Sequence, residues 1–196
     1  KGLENMATIT IIGVGALGSH VALFLRNVPQ ELHVVDHDKV EQKNLQAQFH
    51  TKLGLRQNKA LALQKALDGL FGVKVKATPH RVTSDNVATL LGGSALVLDC
   101  TDNIAARLLI QGYCKPAGVP CLHGCLSADA SFARVIWTEL FAPDPEGEEG
   151  QATCEDGEAL SFIGSVGAVI AGTANTFLKG KGKPNWQLTP ESFMRL

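Results

Sequence analysis

Short apolar, β-branched runs alternate along this chain with longer stretches whose apolar residues recur at helical spacing. The uncharged run from Ala7 to Ile12 reads as a strand buried on both faces. Residues 17–28 read as a helix that stops before Pro29, because the residue preceding a proline is pushed out of the helical region. Residues 32–35 predict a second strand, 55–71 a long helix and 73–77 an alternating strand. Residues 84–91 predict a short helix with Ser84 as its N-cap. Residues 95–98 predict a strand, 104–114 a helix and 119–123 a further strand. Such a β-α-β-α succession predicts a mostly parallel, twisted sheet covered by helices on both faces.

The pattern changes after Gly124. Residues 132–138 read as a strand with no crossover helix before it, so the sheet is expected to gain an antiparallel C-terminal extension. Residues 142–158, with Pro143, Pro145 and seven acids, read as a mobile loop. Residues 160–178 are uncharged and approach the length of a membrane span. Ser161, Ser165, Thr173, Asn175, Thr176 and several glycines favour instead a helix packed inside the protein. Residues 180–196 read as a linker and tail. This helix needs the sheet to cover it, so residues 1–196 are expected to form one domain.

Composition narrows the function. A net charge of −1 provides no field for nucleic acid or an acidic membrane surface, and neither is expected as a partner. The cysteines, at 100, 114, 121, 125 and 154, are odd in number and form no CxxC pair. A disulfide framework or zinc site is therefore not expected, and a reducing, cytoplasmic setting is.

Candidate chemistry begins at Gly13-Val14-Gly15-Ala16-Leu17-Gly18, between the first strand and first helix. Gly13 suits a tight turn, Gly15 lets backbone approach a phosphate, and Gly18 lets helix and sheet pack closely. Backbone N–H groups and the helix dipole favour an anion there. Asp36 ends the second strand, where a carboxylate can accept bonds from ribose hydroxyls. Up to this point ATP and NAD are equally compatible, and a turn with no ligand is a third reading.

Three further segments break the tie. They are Val35-Asp36-His37-Asp38-Lys39-Val40 with Asn44-Leu45-Gln46-Ala47-Gln48, then Gly54 through Lys59-Ala60, then Asp99-Cys100-Thr101-Asp102-Asn103 followed by Arg107. In order and spacing they resemble the ThiF/MoeB/HesA family, whose pattern runs close to VDxDxVxxxNLxRQ, GxxKA and DxTDN. The resemblance spans roughly residues 9–178, and the family includes the adenylation domains of ubiquitin-activating enzymes. It implies a Rossmann-like doubly wound α/β fold. It also implies use of ATP and Mg2+ to adenylate the C-terminal carboxylate of a small ubiquitin-like or sulfur-carrier protein ending in Gly-Gly, by an enzyme acting as a homodimer. By the same resemblance Gly13, Gly15 and Gly18 form the nucleotide turn and Asp36 binds ribose, with Asp38 beside it. Asn44 and Gln48 lie near the phosphates, Lys59 meets the phosphates and the attacking carboxylate, and Asp102 positions magnesium and phosphate.

The chemistry suits that set. The nucleophile is a carboxylate already ionised at neutral pH, so no general base is needed. The obstacle is the approach of two anions, which positioning and charge neutralisation overcome. Two departures stand out. Ala47 occupies the usual arginine position, with Arg56, one helical turn before Lys59, as a substitute cation; and residues 1–6 contain no arginine. Some relatives use a cysteine at the place of Cys154 to take the carrier covalently. Here Glu155, Asp156 and Glu158 would raise that thiol's pKa, and an ordinary exposed thiol is the other reading. Of the histidines, His123 falls where it can face the cleft; structural or solvated roles are the default for all six. A non-catalytic nucleotide- or carrier-binding homologue and an NAD-dependent oxidoreductase remain the alternatives.

Overall fold

The computed structural model describes residues 7–142 and 157–196. Five strands, β1 (Thr8–Ile12), β2 (Glu31–Val35), β3 (Lys76–Thr78), β4 (Ser94–Asp99) and β5 (Cys121–Leu126), pair in parallel. Three more, β6 (Ala133–Trp137), β7 (Trp186–Thr189) and β8 (Ser192–Arg195), continue the sheet antiparallel. The order across the sheet is β3-β2-β1-β4-β5-β6-β7-β8. The chain winds outward from β1 to β3, then crosses back to lay β4 on the other side of β1. The mouth between β1 and β4 is therefore the topological switch point, where open α/β sheets bind ligands.

Strand alternation builds two cores. Ile9 and Ile11 of β1, with Leu96 and Leu98 of β4, face helices α1 (Ala16–Phe24), α3 (Lys59–Phe71) and α6 (Leu160–Leu178). Ile12, Val97 and Cys121 face the other way, onto α4 (Val87–Leu91) and α5 (Ile104–Ala117). α6 lies on α1 and the sheet, with Ile163, Val166, Ile170 and Ala174 fully buried. Its lack of charge thus reflects core packing, and the antiparallel extension begins at β6 as expected.

Several expectations are corrected. α3 starts at Lys59 rather than residue 55, because Asn58 caps it: its Oδ1 accepts from Leu61 N at 3.2 Å. Ser84 is not an N-cap. α4 begins at Val87, with Asn86 at the cap position and its Oδ1 accepting from Thr83 N. The strand expected over 73–77 is the shorter β3, because Val73 to Val75 still close α3 and pack under it; Val73 N bonds Leu67 O and Val75 O accepts from Gln64 Nε2. The expected tail over 180–196 instead forms the β7–β8 hairpin. β6 offers it an open edge, and Leu188 gains full burial there. Asn185 Oδ1 accepts from Trp137 N, and Trp137 Nε1 donates to Pro184 O, which ties the hairpin to β6.

Two buried histidines make this fold acid-sensitive. His33 Nε2 pairs with Thr78 Oγ1 at 2.8 Å and His50 Nε2 with Val14 O at 2.9 Å. Burial pushes both imidazoles down to about 4. Such a depressed histidine favours the fold fully above its unfolded value near 6.5, and that contribution is lost as pH falls toward 4. The two together are worth about 7 kcal/mol at most. Urea midpoints are expected to be level from pH 8 to 7 and to fall steadily between 6.5 and 4; a flat profile across that window would refute the assignment.

A candidate nucleotide site at the switch point

The chain leaves β1 at Gly13 with φ +79°, a left-handed conformation that side chains disfavour, and a Cβ there would lie 3.0 Å from Cys100 O. Gly15 occupies the N-cap of α1 and no side chain caps that helix. Gly18 lies in the first turn, where a Cβ would come within 1.8 Å of Gly13 O. The turn is thus closed on itself and leaves the N-terminus of α1 facing outward without a protein cap, an anion-binding arrangement.

Asp36, one residue beyond β2, braces this turn. Its Oδ2 accepts from Val14 N and its Oδ1 from Asp38 N, both at 2.8 Å. Burial raises its pKa, and the two backbone bonds and the charge of Lys59 oppose that rise. Asn58 then fixes the start of α3 to the same strand end: its Nδ2 donates to Asp36 O at 2.8 Å and to Asp38 O at 3.2 Å. Lys59 N donates to Asp38 O at 2.8 Å, and Lys59 Nζ lies 3.6 Å from Asp38 Oδ2, with 12% of the side chain exposed. The Lys59 charge is felt by both Asp36 and His50, the residues that grip Val14. The lysine therefore sits beside the glycine turn. Asn58 has no role in the family pattern; an asparagine just before a helix is the sequence signal for it.

The opposite lip follows β4. Asp99 is fully buried, and its Oδ1 accepts from Thr101 N and Thr101 Oγ1. Asp102 is exposed, and Asn103 rather than either aspartate caps α5, through Ala106 N. A Cβ on Gly13 would lie 3.1 Å from Thr101 Cα, so this loop touches the glycine turn one residue before Asp102. His123 does not face a cleft. It is fully buried, with Nδ1 2.7 Å from Asp99 Oδ2 and its ring stacked on Phe141 at 4.0 Å. Burial alone would raise the Asp99 carboxyl; the His123 bond and the Arg107 charge hold it below its ordinary value.

Other expected residues are placed less directly. Gln48 closes α2 (Asn44–Ala47), and its Nε2 lies 3.8 Å from where a Gly15 Cβ would stand; its Oε1 is buried without a described partner. Asn44 is buried and its Oδ1 accepts from Glu41 N, an internal brace. Ala47 is 1% exposed within the main core, so an arginine there needs its neighbours to move. Arg56 is not a helical turn before Lys59: it precedes the capped start of α3 with φ 66°. Asp36, His37 and Asp38 bring three potential ligand atoms within 4.8 Å of one another, but Asp38 already pairs with Lys59 and His37 with Arg81. Cys154 lies outside the described residues.

Fold and site together define a Rossmann-like α/β domain with a strand–glycine turn–helix at its switch point. The chain belongs to the ThiF family, whose profile matches residues 1–193. It is 31% identical over 176 residues to "Adenylyltransferase and sulfurtransferase MOCS3" of Anopheles gambiae, covering 84% of this chain and 40% of that protein. It is also 31% identical over 184 residues to "SAMP-activating enzyme E1" of Haloferax volcanii, covering 89% of this chain and 68% of that one. Among solved structures, E. coli MccB with ATP superposes with a TM-score of 0.78 at 15% identity, covering 99% of this chain and 64% of that one, a likeness of fold.

Proposed function

We propose that this chain uses ATP to adenylate the C-terminal carboxylate of a small ubiquitin-like or sulfur-carrier protein. The observation that carries this reading is the convergence of two loops on one glycine turn: Lys59 is anchored at its β2 side and Thr101-Asp102 at its β4 side. The family relatives named for adenylyltransferase and activating-enzyme activity support it.

In this reading the triphosphate lies over the N-terminus of α1, and the ribose lies toward Asp36, whose oxygens keep lone pairs beyond their two backbone bonds. A carrier carboxylate oxygen attacks the α-phosphorus; that O–P bond forms, the bond to the bridging oxygen breaks, and pyrophosphate leaves with the electron pair. Lys59 neutralises the crowded oxygens, and the uncapped N–H groups of α1 do the same without reorganising. The exposed carboxylate of Asp102 fits a hard divalent cation, which would supply further charge neutralisation when bound. NAD chemistry needs neither the lysine nor that carboxylate.

The test is ATP–pyrophosphate exchange by the full-length protein with candidate carriers. Exchange that appears only with a carrier having a free Gly-Gly carboxylate is expected; background exchange with its genomic-neighbour carrier rejects the reading. A second reading, binding without turnover, is favoured by Ala47, a buried methyl at the position where the family pattern VDxDxVxxxNLxRQ has arginine. Calorimetry showing tight ATP binding with no adenylate formed would select it, and preferential NAD binding would overturn both. The homodimer and the cytoplasmic setting belong to the same proposal; sizing chromatography with light scattering checks the first.

A further inference from the structure

α5 carries a cation where helix electrostatics disfavour one. Arg107 N bonds Asn103 O at 3.1 Å, so the residue lies one turn from the N-cap, near the positive end of the helix dipole. Only part of its side chain meets solvent. Burial works against its charge, and the negative groups around it, Asp99 foremost, more than restore it. Three acceptors engage the guanidinium. Nη2 donates to Thr101 O and, at 3.2 Å, to Gly124 O, while Nη1 donates to Cys125 Sγ at 2.7 Å. One side chain thus joins α5, the loop after β4 and the end of β5.

Thr101 is consequently held at every polar atom it has. Its N–H and Oγ1 donate to Asp99 Oδ1 at 3.0 and 2.7 Å, and its carbonyl accepts from Arg107. Asp99 is itself oriented from behind by His123 Nδ1 at 2.7 Å. Thr101 abuts Gly13 on one side and carries Asp102 as its next residue. A buried, doubly charged assembly is a poor source of stability compared with apolar packing, but it fixes geometry.

We propose that Arg107 and Asp99 are positioning residues that clamp Thr101 from both sides and so fix Asp102 at the mouth of the nucleotide site. This rests on the adenylation reading above. The planar fork matters: a lysine in its place is a flexible point charge without the rigid spread of donors that spans the loop after β4 and the end of β5.

The test uses Arg107→Lys and Arg107→Ala in the full-length protein with its carrier. Arg107→Lys is expected to melt within a few degrees of the parent, to lower exchange kcat about 10- to 100-fold, and to change the KM for ATP less than threefold. Amide hydrogen exchange over residues 100–103 is expected to accelerate in that variant while β1 and β5 stay protected. Guanidinium ion at millimolar concentration is expected to restore part of the activity of Arg107→Ala and none of Lys59→Ala, and Arg107→Ala is interpreted only where it folds. Parental kcat and parental loop exchange in Arg107→Lys would overturn the proposal. So would an activity loss that tracks the loss of melting temperature and resists guanidinium. If the parent protein shows no carrier-dependent exchange, the adenylation reading fails, and the amide-exchange comparison still decides whether the clamp exists.

Discussion

Lys59→Ala is expected to lower carrier-dependent ATP–pyrophosphate exchange by about two orders of magnitude while the melting temperature stays nearly unchanged. The first half follows from electrostatics. The attacking carboxylate and the triphosphate are both anionic, and loss of one well-placed charge-stabilising group costs on the order of 3 kcal/mol of transition-state stabilisation. The lysine is suited to that role because 12% of its side chain is exposed and its nearest described partner, Asp38, stands 3.6 Å away. That contact is loose enough for the ammonium to turn toward a ligand. The second half follows from the helix: Asn58 caps α3 through its own side chain, so the helix start does not depend on the lysine's ammonium. Lys59→Arg keeps the charge and should retain a measurable part of the rate. Exchange by Lys59→Ala at the parental rate would end the case for carboxyl activation in this pocket.

The largest expected effect on the fold itself is that of Gly18→Ala. A methyl there would lie 1.8 Å from Gly13 O and 2.9 Å from Gly13 C, both backbone atoms that no rotamer can move aside. Either α1 tilts away from the sheet or the glycine turn opens. Overpacking of this kind costs about 1–3 kcal/mol or more, and the displaced turn should lose nucleotide affinity with it. Gly164→Ala in α6 is the matched control: nothing lies within 4 Å of its Cβ position, and helix propensity should make it neutral or stabilising by about 0.5–1 kcal/mol. Denaturant melts and nucleotide calorimetry on the pair separate a clash from a general intolerance of alanine. Equal stability of the two variants would show that the turn relaxes freely.

Much of this molecule was legible in the order of its residues. Alternating strands and helices, a glycine turn after the first strand and an aspartate ending the second are local patterns. Their physical causes, steric limits on φ and the 3.6- and two-residue periods, act within a few residues. The antiparallel turn of the sheet after Gly124 was readable for the same reason: no crossover helix separates β5 from β6. The boundaries were less so. The start of α3 was misjudged because residues 55–58 have helical spacing, yet Asn58 spends its side chain on Asp36 O and Leu61 N. The β7–β8 hairpin was read as a tail because its burial comes from an edge supplied by β6, some fifty residues away.

The sequence alone determined the class of fold, the glycine turn after the first strand and the family to which the chain belongs, since these rest on short-range spacing. Only the tertiary structure decided what those residues do for one another. Asp36 grips Val14, His123 turns inward onto Asp99, and Arg107 closes on Thr101, three contacts that span from 6 to 24 residues of chain. A buried charge takes its role from whichever partner shares its desolvated space, and that partner is chosen by how the sheet winds.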